Sequence, residues 1–232
     1  MKRHKLISSD LFKRFTVFTW AAILLATVVL SLSSCAPTMY SVDVKYLPEK
    51  APKAGKETWK VAVTVASFND QRGVKEPLVL GRVNRSDGTS VPILPKEREI
   101  HLAVSHGIRD YLFDRGFSLS GALPSWDLRE ETISKEWGDL LVGGSIVKME
   151  IITNDDTLLK SYRGKVELAI VLADVKKGRI IYNTTAASDV SLDYAVISEK
   201  KMEEIINTAL RDVLDRIFAG RLVNQAIRSL EP

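Results

Sequence analysis

Alternation of apolar and polar positions first becomes regular at Trp59, where WKVAVTVASF places Val61, Val63 and Val65 on one side of a pleat and predicts a β-strand. The next 27 residues, NDQRGVKEPLVLGRVNRSDGTSVPILP, show no sustained period. So long a stretch between elements predicts either an exposed functional loop or a pair of short irregular strands. The period then changes. In KEREIHLAVSHGIRDYLFDRG the residues Ile100, Val104, Ile108, Tyr111 and Leu112 share one helical face, and Gly116 is placed to end the helix.

From Gly138 the pattern returns to strands. GDLLVGGSIVKMEIIT reads as one, and LLKSYRGKVELAIVLADV as a second with Tyr162, Val166, Leu168, Ile170 and Leu172 at alternate positions. Lys177-Gly178 turns the chain into a third, so an antiparallel meander is expected. Between Ser198 and Arg228, Met202, Ile205, Ile206, Ala209, Leu210, Val213, Leu214, Ile217 and Phe218 recur at spacings of three and four, predicting one continuous amphipathic helix. The expected fold is therefore α+β in the order β-α-β-β-β-α: a largely antiparallel sheet of about four to five strands with two helices on one face.

The amino-terminal region follows another pattern. Twenty residues from Phe15 to Ser34 carry no charge, and Lys2, Arg3, Lys5, Lys13 and Arg14 precede them. That is the layout of an export signal, although about 20 apolar residues also suffice for an uncleaved transmembrane helix. The stretch closes on Leu32-Ser33-Ser34-Cys35, which closely resembles the lipobox of bacterial lipoproteins: an aliphatic residue, two small ones, then cysteine. The resemblance implies a diacylglyceryl group on the Cys35 sulfur, cleavage just before it and further acylation, for example with palmitate, of the new amino terminus. Cys35 is the only cysteine in the chain, so it has no intramolecular disulfide partner, and acylation accounts for it. Residue Ala36 stands where an aspartate would, by the same resemblance, favour inner-membrane retention. The expected address is thus the periplasmic face of the outer membrane. The expected organisation is a signal peptide over residues 1–34, a lipidated tether rich in Pro, Gly and Lys over 35–58, and one periplasmic domain over 59–232.

This division changes the meaning of the charge. Removing the five bases and single acid that precede Cys35 leaves 28 bases against 28 acids, so the net charge falls from +4 to 0. Nucleic-acid binding loses its electrostatic support, since phosphate recognition needs surplus cations.

Catalytic signals are weak. His101 and His106 stand five apart on the first helix rather than the four that would stack them as zinc ligands. There is no G-x-S-x-G elbow, and the Asp155-Asp156 pair falls in a turn between strands, where carboxylates ordinarily support the turn. Gly143-Gly144 opens no helix and predicts a bulge or a close backbone approach. No cofactor and no metal are expected, and the chain reads as a non-enzyme. The candidate partner-binding surface is the loop carrying Asp70, Arg72, Gly81 and Arg82, because long loops on rigid scaffolds often carry function. An Asp and an Arg two apart can equally fix the loop's departure angle.

Taken together, the lipobox at Cys35, the strand Val61 to Phe68 running into Asp70-Gln71-Arg72, Gly81, the helix ending in Arg115-Gly116-Phe117 and the carboxy-terminal helix resemble the YajG type of uncharacterised bacterial lipoproteins. The auxiliary lipoproteins of membrane-lipid ABC transporters share a similar outline. Neither resemblance implies catalytic residues. The leading expectation is a non-enzymatic accessory or scaffold domain, held to the membrane through lipid on Cys35, that binds an envelope protein. The alternative is a carrier or sensor of a small apolar or lipid ligand, which would need an apolar cavity between sheet and helices.

Overall fold

The computed structural model describes residues 39–48, 59–96, 99–155 and 158–231. All belong to one unit spanning Met39–Pro232. The strands are β1 (Tyr40–Val42), β2 (Ala62–Val65), β3 (Asn69–Asp70), β4 (Gly81–Arg85), β5 (Ser90–Pro95), β6 (Ser118–Leu119), β7 (Leu140–Asp155), β8 (Lys160–Asp174) and β9 (Arg179–Tyr194). The helices are α1 (Ile100–Asp114), α2 (Glu199–Phe218) and α3 (Arg221–Arg228), with one 3-10 turn at Glu130–Thr132.

The spine is β7. One of its edges pairs antiparallel with β8 along nearly its full length, and β8 pairs antiparallel with β9. Its other edge is covered in succession by β2, β3 and β4, all parallel to it. Next, β5 pairs antiparallel with β4, and β1 joins β5 in parallel. At the other end of that edge β6 lies parallel to β2.

The expected sheet of four to five largely antiparallel strands with two helices is thus corrected: the described residues form a mixed, curled sheet of nine strands with three helices. The physical reason is strand length. The strands β1, β3 and β6 have three, two and two residues, too few to display a period. Parallel pairing to a distant strand also leaves no local signature, unlike a hairpin turn. The irregular 69–95 stretch resolves into β3, an excursion over residues 71–80 and the β4–β5 hairpin. In that hairpin's turn Asp87 Oδ1 accepts from Thr89 N at 2.8 Å, and Gly88 takes φ +82°. The single helix expected over 198–228 breaks at Ala219-Gly220, giving α2 and α3. Residues 40–46, expected in the tether, enter the sheet as β1 and run on along α2.

Strand β7 also changes inward parity midway. Leu140, Val142 and Ile146 face the main core, but a bulge between Ile146 and Lys148 passes the inward positions to Met149, Ile151 and Thr153. Helix α2 crosses this inward face so closely that a Cβ on Gly164 would sit 3.1 Å from the Ile205 carbonyl oxygen. Sheet and helices share one continuous buried cluster that includes Ile108, Leu112, Leu168, Ile206 and Leu210. A smaller cluster of Ala66, Trp126, Leu141, Ala173 and Val175 takes Leu141, of opposite parity, from β7. There the Trp126 ring lies where a Cβ on Gly143 would be, 2.4 Å from it, while Gly144 is crowded by the Ala169 oxygen and Phe68. The glycine pair is therefore a place of close approach on both sides of the strand.

Candidate functional site

Asp70 ends β3, and the chain leaves the sheet two residues later at Arg72. The guanidinium of Arg72 is 2% exposed and forms a two-pronged pair with Asp70, Nε and Nη2 each 2.8 Å from a carboxylate oxygen. Its remaining hydrogens reach the carbonyl oxygens of Pro77 at 2.6 Å, Val79 at 3.3 Å and Met149 at 3.5 Å. The Arg72 bonds hold the Asp70 carboxyl below the usual carboxylate range. One buried cation therefore ties the beginning of the excursion, its far end and the spine strand together.

The other sequence-selected residues gather at the same base. A Cβ on Gly81 would lie 1.8 Å from the Ile151 oxygen, so β4 can pair there with β7 only as glycine. Arg82 reaches back to Glu76 of the excursion in an ion pair. The structure thus brings Asp70, Arg72, Gly81 and Arg82 to one loop base. Arg72 and Gly81 act inward there, while Arg82 lies toward solvent. Among the exposed residues of the excursion, Val74 and Leu78 are apolar. They escaped the sequence reading because nothing in VKEPLVL distinguishes an outward valine or leucine from a strand's inward one.

A second organised region lies along α2. Glu199, Glu203 and Asn207 follow one another by one helical turn, and they accept from the backbone N–H groups of Ser41 at 2.7 Å, Asp43 at 3.0 Å and Lys45 at 2.9 Å. Four helical residues rise about 6 Å, close to the ~6.7 Å repeat of two extended residues, which is why a helix edge can serve here as a strand. The segment ends on Tyr46, whose ring meets Tyr111 edge-on at 5.2 Å and whose hydroxyl donates to Asp114. Burial first, then the Asp114 charge, pushes the Tyr46 hydroxyl up to about 12. Tyr111 in turn donates to Asp215 at 3.0 Å, beside the Arg115–Asp215 pair.

Leu32, Ser33, Ser34 and Cys35 lie outside the described residues, as does Asp156. Asp155 pairs with Lys160 at 2.5 Å, and His101 Nδ1 lies 3.3 Å from Glu99. Among the described residues no three His, Cys, Asp or Glu side chains converge as metal ligands, and no helix is long and apolar enough to cross a membrane.

No family model matches the chain, and no curated protein matches it in sequence. Several solved bacterial structures align with it at TM-scores below 0.5. A Xanthomonas campestris protein of the DUF330 family aligns over 82% of this chain and 98% of its own, at 14% identity and a TM-score of 0.48. Lipoprotein GNA1162 from Neisseria meningitidis aligns over 69% of this chain and 99% of its own, at 10% identity and a TM-score of 0.37. A minor lipoprotein from Acinetobacter baumannii aligns over 76% and 97%, at 11% identity and a TM-score of 0.34. Two of these aligned proteins are named as lipoproteins.

Proposed function

We propose that this chain is an exported bacterial lipoprotein, acylated on Cys35, whose folded part is a non-enzymatic accessory domain that binds an envelope protein at the periplasmic face of the outer membrane. The observation that carries the reading is the placement of β1. Tyr40 stands five residues after the only cysteine and already pairs with Ile93, while Ser41 is bonded to Glu199 of α2. Lipid on Cys35 would hold such a domain against the membrane, where a single acyl chain is marginal and two or three are durable. The arginine-braced excursion, with Val74 and Leu78 outward, is the proposed partner surface. Its rigidity suits recognition by lowering the ordering cost of binding.

The buried cluster shared by α1, α2 and the sheet is the core such a scaffold needs, whereas a carrier would need an apolar cavity within it. Within the lipoproteins, the YajG type is the proposed kinship and the auxiliary lipoproteins of lipid transporters are the second. Palmitate labelling of cells expressing the native chain and Cys35→Ser tests the anchor: label and processing should be lost together in the variant. Unchanged processing of the variant defeats it. Affinity capture of the acylated protein from gently solubilised envelopes tests the partner, which should be retained by the native chain and lost with Val74→Asp/Leu78→Asp.

A further inference from the structure

We propose that the end of the sheet carrying Leu158 and Leu159, the end of β9 and the start of α2 is a membrane-docking rim, its exposed apolar side chains entering the phospholipid surface to which Cys35 is anchored. The inference rests on the lipoprotein reading and adds an orientation to it.

The rim is assembled by register. Lys160 at the start of β8 pairs with Tyr194 at the end of β9. Leu158 and Leu159 immediately precede Lys160, Leu192 faces Tyr162, and Val196 follows Tyr194 by two residues. These four are exposed, Leu158 by 94% and Val196 by 65%. At Val196 the rim is braced by Tyr162. Its hydroxyl donates to the Val196 carbonyl at 2.8 Å and accepts from Ser198 N at 2.9 Å, fixing the chain where α2 begins. The same first turn of α2 holds Ser41 through Glu199, which brings β1 to this end of the molecule.

The direction of β1 gives the side from which the chain enters the sheet. Tyr40 pairs with Ile93, Ile93 with Gly81, and Gly81 with Ile151. Since β1 is parallel to β5 and antiparallel to β7, the chain enters β1 from the side on which β7 reaches Asp155. Met39, itself half exposed, is four residues from Cys35. Four residues span at most about 14 Å. Met39 thus stands at the end of the sheet that carries Leu158, Leu159, Leu192 and Val196, and lipid on Cys35 would be within that chain length of it. Exposed apolar side chains that solvent water would penalise find an apolar phase within that reach.

The test uses the full acylated protein in vesicles of phosphatidylethanolamine and phosphatidylglycerol. Nitroxides are attached at Leu158→Cys, Val196→Cys and, as reference, Leu222→Cys on α3, beyond the opposite end of α2. Collision with oxygen and with a water-soluble nickel chelate reports depth. The expected result is nickel accessibility several-fold lower at 158 and 196 than at 222, with oxygen accessibility higher. Equal water exposure at all three positions, in protein shown by mass spectrometry to be acylated and vesicle-bound, overturns the docking rim while leaving the lipoprotein reading intact. Absence of acyl chains on Cys35 overturns both.

Discussion

The side-chain amide of Asn207 is engaged at both of its ends by the segment that follows β1: Oδ1 accepts from Lys45 N at 2.9 Å, and Nδ2 donates to the Asp43 carbonyl at 2.9 Å. Asn207 is a buried polar residue on α2, so its two bonds replace two that water would otherwise make. Asn207→Leu removes both partners from the strap and should cost about 2–3 kcal/mol, the desolvation penalty of stranded backbone groups. Urea unfolding measures the loss, and faster amide exchange at Asp43 to Tyr46 locates it. Unaltered exchange there would show that the strap does not depend on Asn207.

Arg72 should be the least replaceable side chain of the loop base. Arg72→Ala leaves three carbonyl oxygens without their donor while the solvent-facing Asp70 carboxylate rehydrates, and should cost about 1–3 kcal/mol. Arg72→Lys rescues it poorly, because a single ammonium cannot match the fork. The Asp70 carboxyl sits below its usual value, so its contribution is present above about pH 4 and is lost as pH falls toward the lowered folded value. Carbon-detected carboxyl titration of native protein and Arg72→Lys checks this: Asp70 should titrate higher in the variant.

Gly81 and Gly88 separate two reasons for being glycine. At Gly81 any Cβ collides with the Ile151 oxygen, so Gly81→Ala should cost about 3 kcal/mol or more or prevent folding. At Gly88 there is open space but φ is +82°, so Gly88→Ala should cost only about 1–2 kcal/mol. Thermal unfolding of the two variants side by side gives the order. A milder loss at 81 than at 88 would contradict the close approach of β4 to β7.

Alkaline pH should unfold the domain through its tyrosines. Burial raises the hydroxyls of Tyr46, Tyr111 and Tyr162 above the ordinary value of 10.0, Tyr46 to about 12. A group whose folded pKa is raised stabilises the fold below its unfolded pKa, and that contribution disappears as pH climbs through the folded value. Stability should therefore fall between about pH 10 and 12. Phenolate absorbance followed together with circular dichroism checks it, and Tyr46→Phe should narrow the loss.

The long elements were legible in the chain because each repeats its period several times. The Tyr162–Leu172 alternation and the Met202–Phe218 stripe correspond to β8 and α2. On β7 the bulge at Val147 breaks alternation, so only the length of the apolar run marked it as a strand. The three short strands and the parallel pairing along β7 depend on contacts distant in sequence, and no local pattern encodes them. The break at Gly220 was hidden because Val223 and Ile227 continue an apolar spacing after the turn. At the candidate site, the Asp-x-Arg spacing pointed to a paired side chain. That the arginine would be buried follows only from three carbonyl groups arriving from Pro77, Val79 and Met149.

The ladder between α2 and residues 41–45 also has a mechanical consequence. Tension on the chain ahead of Tyr40 acts along β1, roughly across the bonds that hold it to β5 and to Glu199, Glu203 and Asn207. Those bonds share the load in shear instead of parting one after another, and they pass it into the helix that carries the core. A pull on Tyr40 is by this arrangement delivered to the helix whose apolar face fills the core.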